Sequence, residues 1–214
     1  IDPDNPKFLV NGNDGGIVAS YDQGKHWREF LDNLPAVQFF NVSYDMDTPF
    51  HVYGSIQDHG SRRAAVDLSL GRDRVRAQAF QIAPGGEGSR HAIDPRNPSI
   101  VYSAGFYHNI NRTDLSKVDA RGRAQATSIT PRLGSADGYL RGQWLSPIVL
   151  SAHHPDVLYF GGQFLFRSWN RGDTWEPISP DLTTAGPTCG NNSGNVPFCT
   201  ITSISESPLR GGVI

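Results

Sequence analysis

Ser20-Tyr21-Asp22-Gln23-Gly24-Lys25-His26-Trp27 returns later in the chain as Ser168-Trp169-Asn170-Arg171-Gly172-Asp173-Thr174-Trp175. Both stretches read Ser-x-Asp/Asn-x-Gly-x-x-Trp. Each follows an alternating run, Gly16-Ile17-Val18-Ala19 in one case and Phe164-Leu165-Phe166-Arg167 in the other. The spacing predicts a tight turn between antiparallel strands. A Ser hydroxyl and an Asp or Asn oxygen accept hydrogen bonds from turn N–H groups. The Gly takes positive φ at no steric cost, and the Trp opens the returning strand with a large apolar plate to bury. Trp27 and Trp175 are therefore expected to be buried. Asp22 and Asn170 are expected to bond their own turns rather than to do chemistry.

On these residues (Ser20, Asp22, Gly24, Trp27 and Ser168, Asn170, Gly172, Trp175) the chain resembles the Asp-box, or BNR, repeat of β-propellers. That group includes sialidases, sortilin (VPS10-like) domains, xyloglucanases and photosystem assembly propellers. The resemblance implies an all-β fold of four-stranded antiparallel blades in which the boxes are structural turns remote from any active site. Further stretches resemble bacterial proteins of the sortilin-like and "BNR glycosyl hydrolase-like" kind. They are Tyr53-Gly54-Ser55-Ile56-Gln57-Asp58-His59-Gly60-Ser61, Gly85-Gly86-Glu87-Gly88, Trp144-Leu145-Ser146-Pro147-Ile148, and Phe166-Arg167-Ser168 followed by the run from Gly172 to Thr183. A shared fold does not transfer chemistry.

A second periodicity sets the blade length. A polar Pro turn followed by a short apolar run occurs at Pro6, Pro49, Pro98, Pro155 and, in part, Pro208, with steps of 43, 49, 57 and 53 residues. Units of about 40–50 residues have the length of propeller blades, and no 3.6-residue apolar period supports a helical solenoid. Each unit reads as strand A, Pro turn, strand B, loop, strand C, box turn, strand D. The first unit shows B at 8–12, C at 16–20 and D at 26–31. The second places A at 38–44, B at 51–57, C at about 61–68 and D at 76–82. The third has A at 88–93, B at 100–104, C near 109–113 and D near 126–130. In the fourth, A is at 146–151, B at 157–161, C at 164–168 and D at 174–178. A fifth is expected to begin at Ile201-Thr202-Ser203-Ile204-Ser205. The blade pieces of this partial propeller (1–214) thus lie at about 1–35, 36–83, 84–131, 140–180 and 200–214. Three to four blades are too few to close a ring. The remaining ones are expected from the same protein or another chain, and a chain starting at Ile1-Asp2-Pro3 reads as part of something longer.

Composition agrees with a turn-rich β fold: 23 Gly and 15 Pro in 214 residues. The net charge of −2 carries no nucleic-acid or anionic-membrane footprint. No apolar run reaches the ~20 residues of a membrane-spanning helix. Cys189 and Cys199 flank a polar loop. A disulfide closing it is favoured over two free thiols, would contribute roughly 2–3 kcal/mol, and points to an extracytoplasmic setting (secreted, periplasmic or cell surface). The sequons at Asn41, Asn111 and Asn191 permit glycosylation.

Function in such a ring gathers on the face carrying the B–C and D–A loops. This puts Asn13, Asp14, Gln57, Asp58, His59, Tyr107, His108 and Gln163 near Glu87, Arg90, Asp137, Arg141 and Trp144. Asp58 and Glu87 are the enzyme-like pair, because glycoside hydrolysis needs two carboxylates across a sugar; Asp–Gly turn chemistry explains both equally. No sialidase-type arginine set and no xyloglucanase-type catalytic motif is recognisable. Trp144, Tyr107 and Phe106 could stack on a sugar or peptide, or pack between blades. No two histidines have the i, i+4 spacing of a helical metal site, and no cofactor is implied. The reading is an extracytoplasmic binding scaffold for a peptide, protein or glycan at the channel mouth. Its rivals are a secreted glycoside hydrolase using loop carboxylates and a purely structural surface or assembly component.

Overall fold

Strand after strand in the computed structural model falls where the apolar alternation puts it. It describes residues 1–13, 16–29, 37–69, 71–74, 79–134, 138–184, 186, 189 and 198–214. Two units are present, Ile1–Gln38 and Phe39–Ile214. The first is a three-stranded antiparallel sheet of β1 (Leu9–Asn13), β2 (Gly16–Ser20) and β3 (Arg28–Glu29).

The second unit holds three four-stranded sheets, each a meander in chain order. One contains β4 (Ser43–Tyr44), β5 (His51–Ile56), β6 (Gly60–Ala65) and β7 (Gln81–Ile82), with a short 3-10 turn at Arg72–Arg74 before the last strand. The next contains β8 (Arg90–Ile93), β9 (Ile100–Ala104), β10 (Ile110–Val118) and β11 (Ala124–Ser128). The last contains β12 (Ile148–Leu150), β13 (Leu158–Gly161), β14 (Leu165–Ser168) and β15 (Glu176–Pro177). All pairings are antiparallel, and no α-helix occurs among the described residues.

The sheets stack face to face, and β9 shows why. All five of its residues are buried. Successive side chains of a strand point to opposite faces. Ile100, Tyr102 and Ala104 join a core with Ile110, Ile129, Ile148, Leu158, Phe160 and Phe166, which fills the space toward the last sheet. Val101 faces the other way, onto Tyr53 and Ala83 of the preceding sheet. The first strands β4, β8 and β12 lie side by side, with Ser43 Oγ–H donating to His91 O at 2.7 Å. Meanders stacked on both faces with their first strands adjacent are consecutive blades of a β-propeller.

The two boxes fold bond for bond alike. Ser20 Oγ accepts Gly24 N–H at 2.8 Å, and Ser168 Oγ accepts Gly172 N–H at 2.8 Å. Asp22 Oδ1 accepts His26 N–H at 2.9 Å, and Asn170 Oδ1 accepts Thr174 N–H at 2.9 Å. Gln23 and Arg171 take φ near +60°, followed by Gly24 at +86° and Gly172 at +91°. The backbone N–H and then the ring of His26 hold the Asp22 carboxyl well below the usual carboxylate range. The tryptophans differ. Trp175 packs on the core and donates Nε1–H to Ile129 O at 2.6 Å. Trp27 is 45% exposed, against expectation. Trp175 takes its cover from Ile129, the residue that follows β11 in the preceding sheet.

A third repeated device was not foreseen. Four residues before Pro6, Pro49, Pro98 and Pro155 stand Asp2, Asp45, Asp94 and Ser151, and each caps its A–B turn. Asp2 Oδ1 accepts Asp4 N–H, Asp45 Oδ1 accepts His51 N–H, Asp94 Oδ1 accepts Arg96 N–H and Ser151 Oγ accepts His153 N–H. In the third sheet Asp119 stands in for the missing box, taking the N–H groups of Arg121 and Arg123. Ile201-Thr202-Ser203-Ile204-Ser205 forms no strand. Ile201 N–H bonds Gly162 O, while residues 207–213 fold back in a turn closed from Ser207 N–H to Val213 O, so the segment has no strand of its own to pair with.

Candidate functional site

In the second unit each B–C loop is tied to a connection that runs between blades. The turn after β5 is the first case. Asp58, at φ +61°, donates its backbone N–H to Glu87 Oε2 at 2.9 Å. Ser61 Oγ–H donates to Gly86 O at 2.7 Å, and Gly86 N–H to Ser89 Oγ at 2.9 Å. Asp58 and Glu87 are thus brought together, but one Glu87 oxygen is already used by a turn N–H. Gln57, Asp58 and His59 are exposed, and Glu87 is half-buried.

The turn after β9 repeats the arrangement. Tyr107 stands at φ +65°, and its carbonyl oxygen accepts Ser146 Oγ–H. Gly142 passes so close that a methyl group there would overlap this oxygen. Thr130 Oγ–H donates to His108 O at 3.0 Å. His108 Nδ1 is buried without a hydrogen-bond partner, and burial lowers the ring's pKa. Arg90 begins β8 opposite Ala104, with its Nε–H likewise buried and unpartnered.

The turn after β13 is the third case. Gln163, buried, accepts Arg141 N–H at 2.8 Å and donates to Tyr139 O at 2.9 Å. The Arg141 guanidinium pairs with Asp181 at 2.6 Å, reaches Thr183 Oγ1 at 3.2 Å and donates to Cys199 O at 3.2 Å. Burial pushes the Asp181 carboxyl up, but the hydroxyl and N–H of Thr183 together with Arg141 outweigh it and leave the pKa lowered. Arg141 therefore anchors the segment carrying the disulfide between Cys189 and Cys199. Asp14, Asp137 and the Asn191 sequon lie outside the described residues.

Across these loops runs an aromatic row. Phe40, from the segment entering β4, meets Trp144 edge-on at 4.9 Å. Trp144 stacks on Phe106 at 5.3 Å and 28°. The row thus draws on three successive blades, and Phe106 stays 37% exposed at its end. Phe40 was absent from the sequence candidates, because a Phe-Phe pair at a strand start reads as ordinary core. Among the described residues no group of three or more His, Cys, Asp or Glu could hold a metal ion, and no helix is long and apolar enough to cross a membrane. At Asn41 the side-chain amide is already bonded to Ser89 O at 3.1 Å, which opposes its use as a glycan acceptor.

No protein-family profile matches the chain, and no characterised protein matches it in sequence. Among solved structures it is similar to a GH74 enzyme of Niastella koreensis, with 16% identity over 83% of this chain and 28% of that one, at a TM-score of 0.42. It is similar also to the GH74 xyloglucanase from Xanthomonas campestris, with 18% identity over 99% and 33%, at 0.44. An ancestral GH74 enzyme gives 14% identity over 84% and 23%, at 0.44. The chain spans 23–33% of the length of these structures.

Proposed function

We propose that this chain is a binding scaffold, a set of propeller blades that presents an aromatic ligand platform at the loop face and does no chemistry there. The observation that carries this reading is the 2.9 Å bond from Asp58 N–H to Glu87. A general acid needs a carboxyl free to carry and release a proton, whereas Glu87 serves as a latch between two loops. Arg141 is similarly spent on Asp181 and Thr183. What the face still offers is the half-open row of Phe106 and Trp144, suited to stacking on a sugar ring or on apolar side chains of a peptide. The disulfide supports an extracytoplasmic setting. Three four-stranded blades fall short of a ring, so the remaining blades come from the same protein or from a partner chain.

A glycoside hydrolase is the second reading, favoured by one fact: two carboxyl groups from different loops, Asp58 and Glu87, stand on neighbouring turns. One experiment separates the two. The protein is offered a panel of xyloglucans, other β-glucans and sialosides, and both turnover and retention on the immobilised ligands, peptides included, are measured. The scaffold reading expects no turnover above that of Asp58→Asn and Glu87→Gln. It expects retention to fall about tenfold in Phe106→Ala, the exposed end of the row, and in Trp144→Ala. Turnover abolished by either acid substitution in a protein that stays folded overturns it.

A further inference from the structure

The outer strands of the sheets are not alike. Among the described residues β3, β7 and β15 extend over two residues each, and β15 ends in Pro177, which cannot donate to a further strand. Short, charged or Pro-bearing edges are how β proteins avoid unwanted pairing. β11 has none of these protections. It runs five residues, Ala124-Gln125-Ala126-Thr127-Ser128, without a charge, and four of the five are exposed.

The register identifies the free groups. Ile129 N–H bonds Ile110 O at 2.9 Å, and Arg112 pairs with Thr127. Hydrogen-bonded and non-bonded pairs alternate along an antiparallel ladder, so Thr127 and Gln125 spend their backbone groups on β10. The N–H and C=O of Ala126 and Ser128 point away from it. Beside Ser128 opens a cleft of about 730 Å³, lined by Thr127, Ser128 and Thr130 from this sheet and by Asp173, Thr174 and Trp175 from the next.

Most side-chain polar groups of that cleft are already committed. Asp173 pairs with Arg112 at 2.9 Å, and Thr174 Oγ1 accepts Asn170 Nδ2–H at 2.9 Å. Trp175 Nε1–H is used on Ile129 O, and Thr130 Oγ1 both accepts from Ile110 N–H and donates to His108 O. The unspent groups include the backbone edge of β11, the hydroxyls of Thr127 and Ser128, and one cation, Arg132, exposed in the cleft wall without an ion pair among the described residues.

We propose that the edge of β11 is a strand-addition site, at which an extended peptide segment of a partner protein pairs with Ala126 and Ser128 and sets an acidic side chain against Arg132. Main-chain bonds supply the affinity of such an augmentation, and alternate side chains of the guest supply its specificity. The site is separate from the aromatic platform and stands whether or not that platform binds sugar.

The test uses the 214-residue chain and a set of capped nonapeptides of alternating valine and threonine, with one aspartate walked through every position. At least one member is expected to slow amide exchange at Ala126 and Ser128 by about tenfold or more at saturation. Arg132→Gln is expected to weaken that member about threefold while leaving the all-neutral peptide unchanged. Ser128→Pro removes an outward donor without touching the β10 pairing, and is expected to abolish binding. If no member slows the two amides, the proposal fails. It fails also if xyloglucan oligosaccharides perturb Thr174 and Trp175 while both amides stay unprotected.

Discussion

Gly24 and Gly172 occupy the same place in the two boxes, but their surroundings make them unequal. Both have φ near +90°, where any L side chain is strained. A methyl group at Gly24 would meet only Leu9 and Trp27 at 3.6 Å, an ordinary contact. One at Gly172 would come within 2.5 Å of Ile129 Cδ1 and 3.0 Å of its Cβ. Gly24→Ala is thus expected to cost about 1 kcal/mol, from backbone strain alone. Gly172→Ala adds overpacking between blades and is expected to lose about 2–4 kcal/mol. Urea midpoints of the two variants check this; equal losses would mean that the blade contact at Ile129 yields freely. The turn chemistry of both boxes was legible in the sequence, because Ser, Asp or Asn, and Gly act on their own backbone. The burial of the tryptophans was not, because the cover of Trp175 comes from Ile129, 46 residues away in another sheet.

Elements show the same division. Strand positions such as 16–20 and 100–104 were read correctly, since alternation and Pro turns are local signals. How the blades are fastened was not readable. The residue before the box glycine, Arg171, reaches across to the preceding sheet, pairing with Asp94 at 3.0 Å and donating to Tyr102 Oη at 3.2 Å. Asp94 is 1% exposed and shares its carboxylate with Arg96, which also holds Asp156 at 2.6 Å. Nothing in Asn170-Arg171-Gly172 announces a partner 77 residues away. Trp144 and Phe106 were named from the sequence, but Phe40 and the joining of the three rings were hidden for the same reason, each ring coming from a different blade. Arg171→Ala leaves the buried Asp94 with Arg96 alone. Because Arg171 is itself 35% exposed, the expected loss is about 2 kcal/mol, less than the roughly 3–5 of a fully buried pair. Arg171→Lys restores charge but not the two-armed geometry, and is expected to recover part of it. Thermal unfolding of the three proteins decides: a loss equal for Ala and Lys assigns the effect to geometry, and no loss removes the clamp.

At the scale of the whole molecule the two buried histidines and the paired carboxylates push in one direction. His91 is buried, and its Nε2–H donates to Pro84 O at 2.9 Å, so the lone pair of Nδ1 faces the interior without a donor. Burial lowers its pKa, the bond to Pro84 opposing only in part, and burial also lowers that of His108. For both, the unfolded chain takes up protons as the pH falls below about 6.5 while the folded chain does not. The unfolded state then binds more protons, and stability must drop with falling pH. The carboxylates add a second stage. Asp156 is lowered by Arg96. In Glu206 burial pushes upward but is outweighed by the N–H groups of Gly212 and Ala152 and the hydroxyls of Ser151 and Tyr159. With Asp181, these groups contribute stability that is present above their unfolded pKa of about 4 and lost as the pH falls further. The profile should be flat from about pH 7 to about 9, decline between about 6.5 and 5, and decline again below about 4. Urea midpoints across this range test it, with His91→Gln, which keeps a donor for Pro84 O, and His108→Gln as controls for the first decline. If the midpoint rises from pH 7 to 5, or the first decline persists unchanged in both variants, the buried imidazoles are not its source.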